Sequence, residues 1–461
     1  MKKNIIMFIV SCAMFMEAID TTILNTAIPV MAHSLEVNPI DLKLVLISYL
    51  LSLAIFIPIS GWIADKYGVK KVFIAAIGVF TLSSLWCGFT QSLWELVLAR
   101  IIQGLGGSLT VPVGRLIILR TCKRHELITK MSIVVMVASL GMLLGPLLGG
   151  IITDYFSWRW IFWVNIPVGI IAMLLSHKLL PTILPRSVPP LDKSGFIMFG
   201  AGLAFLTLGL SLFSETKTDI VYSASITLLS ALLLIGYTKH SRNKKNPIIK
   251  VTLLNIRTFR IAVLGNLLTR LSFGGIPFLL PLLFQIILEY SPQLSGMLLT
   301  PVALGVFLVK PLSFSILRRF GYKKLLLLNT VLVCFSLWSF ATINQSTSVI
   351  YIGFLTFLYG FFIALQYTGM NSLAYANIDD NDMSYATSIM STVQQLSQSF
   401  GVAISALLVS LFTSQVSQHF VLTVKIFHLT FFALGMLTIL SGLIFTSLKK
   451  EDGKELIESP T

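Results

Sequence analysis

The chain has 461 residues, of which 55% are hydrophobic and only 11% charged, and its mean hydropathy is +0.87. A soluble domain carries about 25% charged residues, so this composition excludes a soluble enzyme, a disordered regulator and a disulfide scaffold. The formal charge of +15 points either to nucleic acid or to an anionic membrane surface, and the placement of the basic residues decides between them.

Fourteen apolar runs are long enough to cross a bilayer, which takes roughly 20 residues. Pro, Gly and charged residues separate them. The predicted helices lie at 4–30, 44–64, 72–90, 93–118, 130–152, 160–180, 194–213, 220–238, 260–289, 293–317, 324–343, 348–374, 385–413 and 426–447. The first follows Lys2 and Lys3 without a small-residue cleavage site and contains acids, so it is expected to be an uncleaved first helix. Cys12, Cys87, Cys122 and Cys334 lie inside or at the ends of these runs with no close pair, which supports neither a disulfide nor a metal site.

Glu17 and Asp20, in the first span, are the only acids in the interior of any span. A carboxylate in hydrocarbon is costly unless it pairs, takes up a proton or faces water. Three residues apart, the two share one helix face. An acid that can take up a proton and faces a cavity is what proton coupling requires; otherwise such residues line a wetted wall or bond to another helix. The second span runs into the stretch Gly61 to Lys71, where Gly61 and Gly68 permit close approach and a sharp turn. Asp65 there can cap the next helix or pair with a cation across the halves. In the fourth span Arg100 lies roughly 12 Å from the outer end, and Asp20 lies roughly 22 Å from the inner end of the first. In a core about 30 Å thick both fall in the outer half, so an Asp–Arg contact is expected. In the fifth span Gly141, Gly145 and Gly149 recur every four residues and offer a groove to a neighbouring helix. Pro146 bends the helix within that groove.

The Pro-rich stretch Pro181–Pro190 closes a first block. The expected organisation is a six-helix bundle over 1–184, a linker with an inserted two-helix hairpin over 185–245, a second six-helix bundle over 246–448, and a disordered charged tail over 449–461. The fold class is thus an all-α polytopic membrane protein with two six-helix bundles and a hairpin between them. A weak repeat supports two related halves. Asp65-Lys66-Tyr67-Gly68 follows the second span, and Arg318-Arg319-Phe320-Gly321 follows the tenth, its equivalent. Two halves with a site between them is a transporter architecture.

With the N-terminus inside, 26 of the 34 Lys and Arg fall in inner loops and tails, and four (Lys43, Arg159, Lys217, Lys425) in outer ones. The positive-inside rule then places both termini in the cytoplasm. The richest cluster, Lys239 to Arg260, faces anionic lipid, so the basic charge needs no nucleic acid. Arg270 sits roughly 15 Å deep in the ninth span, too central to snorkel easily. Arg115 and Lys310 lie nearer the inner ends of theirs. If all three line the pathway, the cavity has a cationic surplus that suits an anionic substrate. Asn25, Gln103, Asn266 and Gln285 are further candidates for the cavity wall, as are Gln366, Tyr367, Asn371, Gln394 and Gln395, although Gln and aromatic groups also hold helices together.

Five motifs resemble those of the major facilitator superfamily, and within it the fourteen-helix branch of drug:proton antiporters. Ile19 to Pro29 is similar to the branch's first-helix motif, and Gly61 to Lys71 to the superfamily loop between helices 2 and 3. The segment Arg100 to Gly107 resembles the proton-coupling motif of helix 4. Gly141 to Gly150 resembles the antiporter signature of helix 5, and Trp158 to Gly169 the start of helix 6. Asp192 to Gly195 and Gln394 to Gly401 also fit the branch. Val111 to Arg115 and Arg319 to Tyr322 narrow the likeness to the MdtD-type exporters.

The resemblance implies the major facilitator fold and a proton-coupled exporter working by alternating access. Asp20 would take up the proton, with Glu17 as a second coupling acid, and Arg100 would help set proton affinity. Gly61, Asp65, Gly68, Lys70 and Lys71 would form a conformational latch. Gly141, Gly145, Pro146, Gly149 and Gly150 would seal one face and favour exchange over leak. Arg318 in place of Asp65 implies a single working latch. The alternative is an exporter of an anionic metabolite, such as a polycarboxylate or a carboxylate siderophore. The partners implied are a small-molecule substrate, protons and lipid, with no cofactor, no metal and no nucleic acid, in a monomer of the bacterial inner membrane. A membrane enzyme is disfavoured: the six histidines lie in or near loops, and no H-E-x-x-H or G-x-S-x-G occurs. No filter sequence supports a channel, and no P-loop supports ATP-driven transport.

Overall fold

A computed structural model describes residues 2–122, 124–182, 184–213, 220–416 and 422–456. Lys217 and residues 457–461 of the tail lie outside the described residues. Every regular element among the described residues is a helix, as a bilayer demands. In hydrocarbon each backbone N–H and C=O must be satisfied internally, and a helix does this within one segment.

The long helices are α1 (Lys2–Ser34), α2 (Lys43–Tyr67), α3 (Val69–Phe89), α4 (Leu93–Thr121), α5 (Arg124–Tyr155) and α6 (Asn165–Leu179, preceded by the turn Trp160–Trp163). They continue with α7 (Lys193–Leu212), α8 (Ile220–Asn243) and α9 (Arg257–Phe273, extended through Ile276–Leu282 and the π-turn Leu283–Ile287). A continuous stretch, Pro292–Phe340, then runs for 49 residues. At 1.5 Å per residue that is more than twice the hydrocarbon thickness. Its backbone breaks at Gly321, with φ 68° and ψ 163°, into α10 (292–320) and α11 (322–340). The set closes with α12 (Val349–Leu373), α13 (Met383–Val416) and α14 (Val424–Thr446). All fourteen predicted spans are thus present, and the expected loop at 318–323 is a one-residue kink.

The chain divides into two compact units. The first comprises 1–192 with the short segment 290–297; the second comprises 193–289 and 298–461. In the first, α1 packs along α5 and also meets α4 and α6, while α4 lies against α2 and α3. In the second, α9 packs on α12, α13 and α14, and the α7–α8 hairpin leans on α13 through α7. Large apolar side chains such as Leu82, Phe156, Ile220, Ile350 and Leu443 remain exposed. On a soluble protein so many would be anomalous, whereas here they face lipid.

Small residues carry the close contacts, because lipid is as apolar as a leucine side chain and helices associate by packing and hydrogen bonds. A Cβ on Gly106 of α4 would lie 2.7 Å from the Phe80 amide nitrogen of α3, and one on Gly104 2.7 Å from the Tyr49 carbonyl of α2. The N-terminus of α4 is capped by Ser92, whose hydroxyl accepts from the Glu95 amide at 3.3 Å. Glu95 in turn accepts from the Gln91 amide at 3.0 Å. This reciprocal arrangement is close to a capping box.

The tail departs from expectation. Arg257 at the start of α9 pairs with Asp452 and donates to the Ser447 carbonyl at 3.0 Å, and residues Lys454–Leu456 form a helical turn. Residues 449–456 are therefore held to the second unit, because Arg257 supplies a counter-charge that the tail's composition does not reveal.

Candidate functional site

The polar interior of the first unit is built around Asp20, which is 1% exposed. Arg100 Nη1 donates to Asp20 Oδ2 at 2.6 Å and to Gln103 Oε1 at 2.6 Å. Gln103 Nε2 donates to Asp20 Oδ1 at 2.9 Å, and Asn165 Nδ2 donates to the same oxygen at 2.9 Å. Ser84 on α3 accepts from Asn165 at 3.0 Å and from Gln103 at 3.3 Å. The guanidinium of Arg100 stacks on the Tyr49 ring, 4.1 Å from its centroid. Helices α1, α2, α3, α4 and α6 thus converge on one ion pair. Three residues apart on α4, Arg100 and Gln103 share a face, and the glycines after them let α4 sit deep enough for both to reach α1.

Glu17 stands one turn before Asp20 and outside this network. It is half-buried, and its Oε2 is buried with no hydrogen-bond partner. The wall of α1 opposite α4 is set by the α5 glycines. Gly141 faces Phe15 and Ala18, Gly145 faces Thr22, and Gly149 faces Ile23 and Thr26. Any Cβ at Gly145 or Gly149 would overlap those threonine hydroxyls. Pro146 and Gly150 pack against Gly296 and Pro292 of the segment 290–297, which belongs to the first unit.

The second unit has its own polar cluster, built on a cation. Arg270 of α9 is 9% exposed; Nη1 donates to Gln398 Oε1 of α13 at 3.2 Å and Nε to Asn266 Oδ1 at 3.4 Å. Its guanidinium lies 3.6 Å from the centroid of the Tyr367 ring on α12. Asn371 Oδ1 accepts from Gln394 at 3.0 Å and from Asn266 at 3.4 Å. No carboxylate lies within ion-pair distance of Arg270 among the described residues.

Several expected residues lie elsewhere. Gln103, read as cavity wall, is fully buried and spent on Asp20. Gln366 is also fully buried; it accepts from Asn329 at 2.7 Å and donates to Thr330 at 3.1 Å, joining α12 to α11. Gln285 lies in the π-turn and Lys310 is exposed on α10, and among the described residues Asn25, Arg115 and Gln395 form none of the hydrogen bonds that build either cluster. Asp65 does not cap α3, whose N-cap is Gly68; it pairs with Arg120 of α4, and its carbonyl accepts from the Arg186 amide at 2.8 Å. Lys70 donates to the Leu180 carbonyl at the end of α6 at 2.8 Å, while Lys71 is exposed. Gly68 makes the sharp turn (φ 93°), and a Cβ on Gly61 would meet nothing within 4 Å. Ser84, Asn165 and Gln398 were not singled out in the sequence. Asn165 and Gln398 sit inside recognised motifs, whereas a serine in an apolar helix carries no signal.

A family profile of the Major Facilitator Superfamily matches residues 10–402 and 262–460. MdtD proteins, named for multidrug resistance, from Escherichia fergusonii (strain ATCC 35469) and Shigella flexneri serotype 5b (strain 8401) are each 36% identical over 446 residues, which is 96% of this chain and 94% of each relative. Among solved structures, a D-xylose–proton symporter superposes with a TM-score of 0.69 at 15% identity, covering 98% of this chain and 99% of that one. The peptide transporter POT in complex with sulfate gives 0.71 at 14% identity, covering 96% and 94%. At such identities these structures speak for the fold alone.

Proposed function

Because the chain belongs to the major facilitator superfamily, we propose that this multi-pass membrane transporter is a proton-coupled secondary exporter, a drug:proton antiporter working by alternating access. The observation that carries the reading is the buried Asp20–Arg100 pair with its Gln103 and Asn165 partners. An ionisable group inside a membrane span is expensive and is retained where it serves a pathway or a proton relay. The half-buried Glu17 beside it gives α1 a second carboxylate. Relatives named for multidrug resistance support a small-molecule substrate carried outward. The proton gradient is the energy source. The basic inner loops support an inner-membrane location with both termini cytoplasmic.

A second reading, export of an anionic metabolite such as a polycarboxylate or a carboxylate siderophore, is favoured by one observation. Arg270 is held only by neutral amides and a tyrosine ring. A buried guanidinium without a counter-charge is suited to accept a carboxylate in a bidentate pair.

The test is transport in proteoliposomes under an imposed inward-directed proton gradient, with tetraphenylphosphonium and citrate offered in parallel. Gradient-driven movement of the cation supports the drug antiporter. Movement of citrate alone, lost in Arg270→Gln, supports the second reading. Movement of either substrate that is indifferent to the gradient overturns proton coupling.

A further inference from the structure

The connector after α6, residues 181–192, forms no regular element among its described residues, yet it is held in place. Pro181, Pro185, Pro189 and Pro190 lack an N–H and fix φ near about −65°, and the residues before them are biased to extended backbone. Such a segment offers a partner chiefly its carbonyls, and it is recognised by an aromatic surface that can donate an N–H. The C-terminal end of α2 supplies both. Trp62 Nε1 donates to the Pro189 carbonyl at 2.8 Å. The Tyr67 ring stands edge-on to Trp62, 6.3 Å between centroids, and Lys66 Nζ lies 4.6 Å from the Trp62 centroid.

Two further bonds bind the connector to this region. The Asp65 carbonyl is among the last four of α2, which a helix leaves without a donor of its own. The connector provides that donor, the Arg186 amide, at 2.8 Å. Lys70, in the first turn of α3, donates to the Leu180 carbonyl where the connector begins, also at 2.8 Å. Trp62 and Asp65, three residues apart, share one face of α2. The Asp65 carboxylate pairs with Arg120 of α4. One residue therefore holds the latch pair through its side chain and the connector through its backbone, and all of these groups belong to the first unit.

We propose that the connector is a tether of two lengths. It is docked on the end of α2 while Asp65 pairs with Arg120 and released when that pair opens, so that the latch sets how much free chain precedes α7. The inference rests on the alternating-access reading, since two bodies that rock against each other draw on the chain between them. Extended chain gains about 3.5 Å per residue, so the released connector reaches about 45 Å from Leu180 to Lys193, and the docked one about 14 Å from Pro189 to Lys193. A shift of the α2 end that takes the Asp65 carboxylate from Arg120 carries its carbonyl away from Arg186 as well. Trp62 then holds the middle of the connector alone, and a single hydrogen bond open to water is easily exchanged for one to solvent.

Distances between spin labels on Lys178→Cys and Ser187→Cys, two exposed positions, test this in the full-length protein on a cysteine-free background. The otherwise unaltered chain is expected to give one short, narrow distance. Trp62→Phe keeps an aromatic ring and loses the N–H; Asp65→Asn keeps the carbonyl and loses the charge. Each is expected to lower the docked-to-free ratio by about fivefold, the effect of one hydrogen bond. Asp65→Asn/Arg120→Gln should match the Asp65→Asn single, because both changes open the same pair. A ratio unchanged in Asp65→Asn overturns the link to the latch, and one unchanged in Trp62→Phe overturns the docking site. A broad distribution without either change overturns both. Asp65→Asn decides the matter by itself should Arg120→Gln fail to fold. The measurement needs neither substrate nor gradient, so its failure leaves the transport reading standing, whereas gradient-independent movement in proteoliposomes strikes the coupled reading and not the tether.

Discussion

At the residue scale, the Asp20–Arg100 pair is a commitment made by packing rather than a gain in stability. Two charges taken out of water cost more than their attraction returns unless further hydrogen bonds satisfy them, and here Gln103 and Asn165 do so. Removing one partner leaves the other uncompensated. Asp20→Asn or Arg100→Gln is therefore expected to destabilise the folded protein by about 3–5 kcal/mol, read as a lower unfolding midpoint in detergent. The double variant Asp20→Asn/Arg100→Gln should recover much of that loss, because neutral amides bury with their hydrogen bonds intact. A double variant no better than the worse single one would show that the pair does not act as a unit. Arg270 differs in kind, since Asn266, Gln398 and the Tyr367 ring stabilise its charge without cancelling it.

At the element scale, glycines decide which helices touch. Gly145 and Gly149 admit Thr22 and Thr26 of α1 against the backbone of α5. Gly145→Val is expected to force α1 and α5 apart at a cost of about 1–3 kcal/mol. It should disturb Asp20 two residues before Thr22, and cysteine cross-linking of α1 to α5 would report the separation. Gly68 and Gly321 occupy equivalent places in the two halves and share a positive φ, 93° and 68°. Neither conformation is open to a residue with a Cβ without strain of order 1–3 kcal/mol. Gly321→Ala, with no neighbour within 4 Å, isolates this backbone effect from any clash. A stability unchanged from wild type would mean that the kink is set by packing instead.

At the scale of the whole molecule, topology follows from charge. The basic loop Lys239 to Arg260 should lie on the cytoplasmic side and the short α3–α4 turn at Gln91 on the other. Lys245→Cys is therefore expected to react with an impermeant thiol reagent only in inside-out vesicles, and Gln91→Cys only in right-side-out ones. The native cysteines are all free; Cys87 and Cys334 are buried and Cys12 and Cys122 partly so, and a cysteine-free background removes their contribution. The opposite pattern would invert the orientation. The pairing of Arg257 with Asp452 ties the chain end to the foot of α9, so truncation before Lys449 should lower stability modestly, in the range of a partly exposed ion pair.

The sequence by itself determined that this chain spans a bilayer about fourteen times, where the spans lie, and which residues carry family motifs. Those properties are local. Twenty apolar residues cannot stay in water, a helix satisfies its own backbone, and basic residues in the loops mark one side. The Asp20–Arg100 meeting was legible because depth along a helix is a simple count of 1.5 Å steps. Only the tertiary structure decided which way each side chain turns about its axis. Rotation is fixed by packing against neighbours that are distant in sequence, and so the sequence could not say that Gln103 serves Asp20, that Gln366 is spent on Asn329, or that Asp65 finds Arg120. Nor could it say that, of two acids three residues apart on one helix, one is locked by donors from α4 and α6 while the other is left with an oxygen to spare.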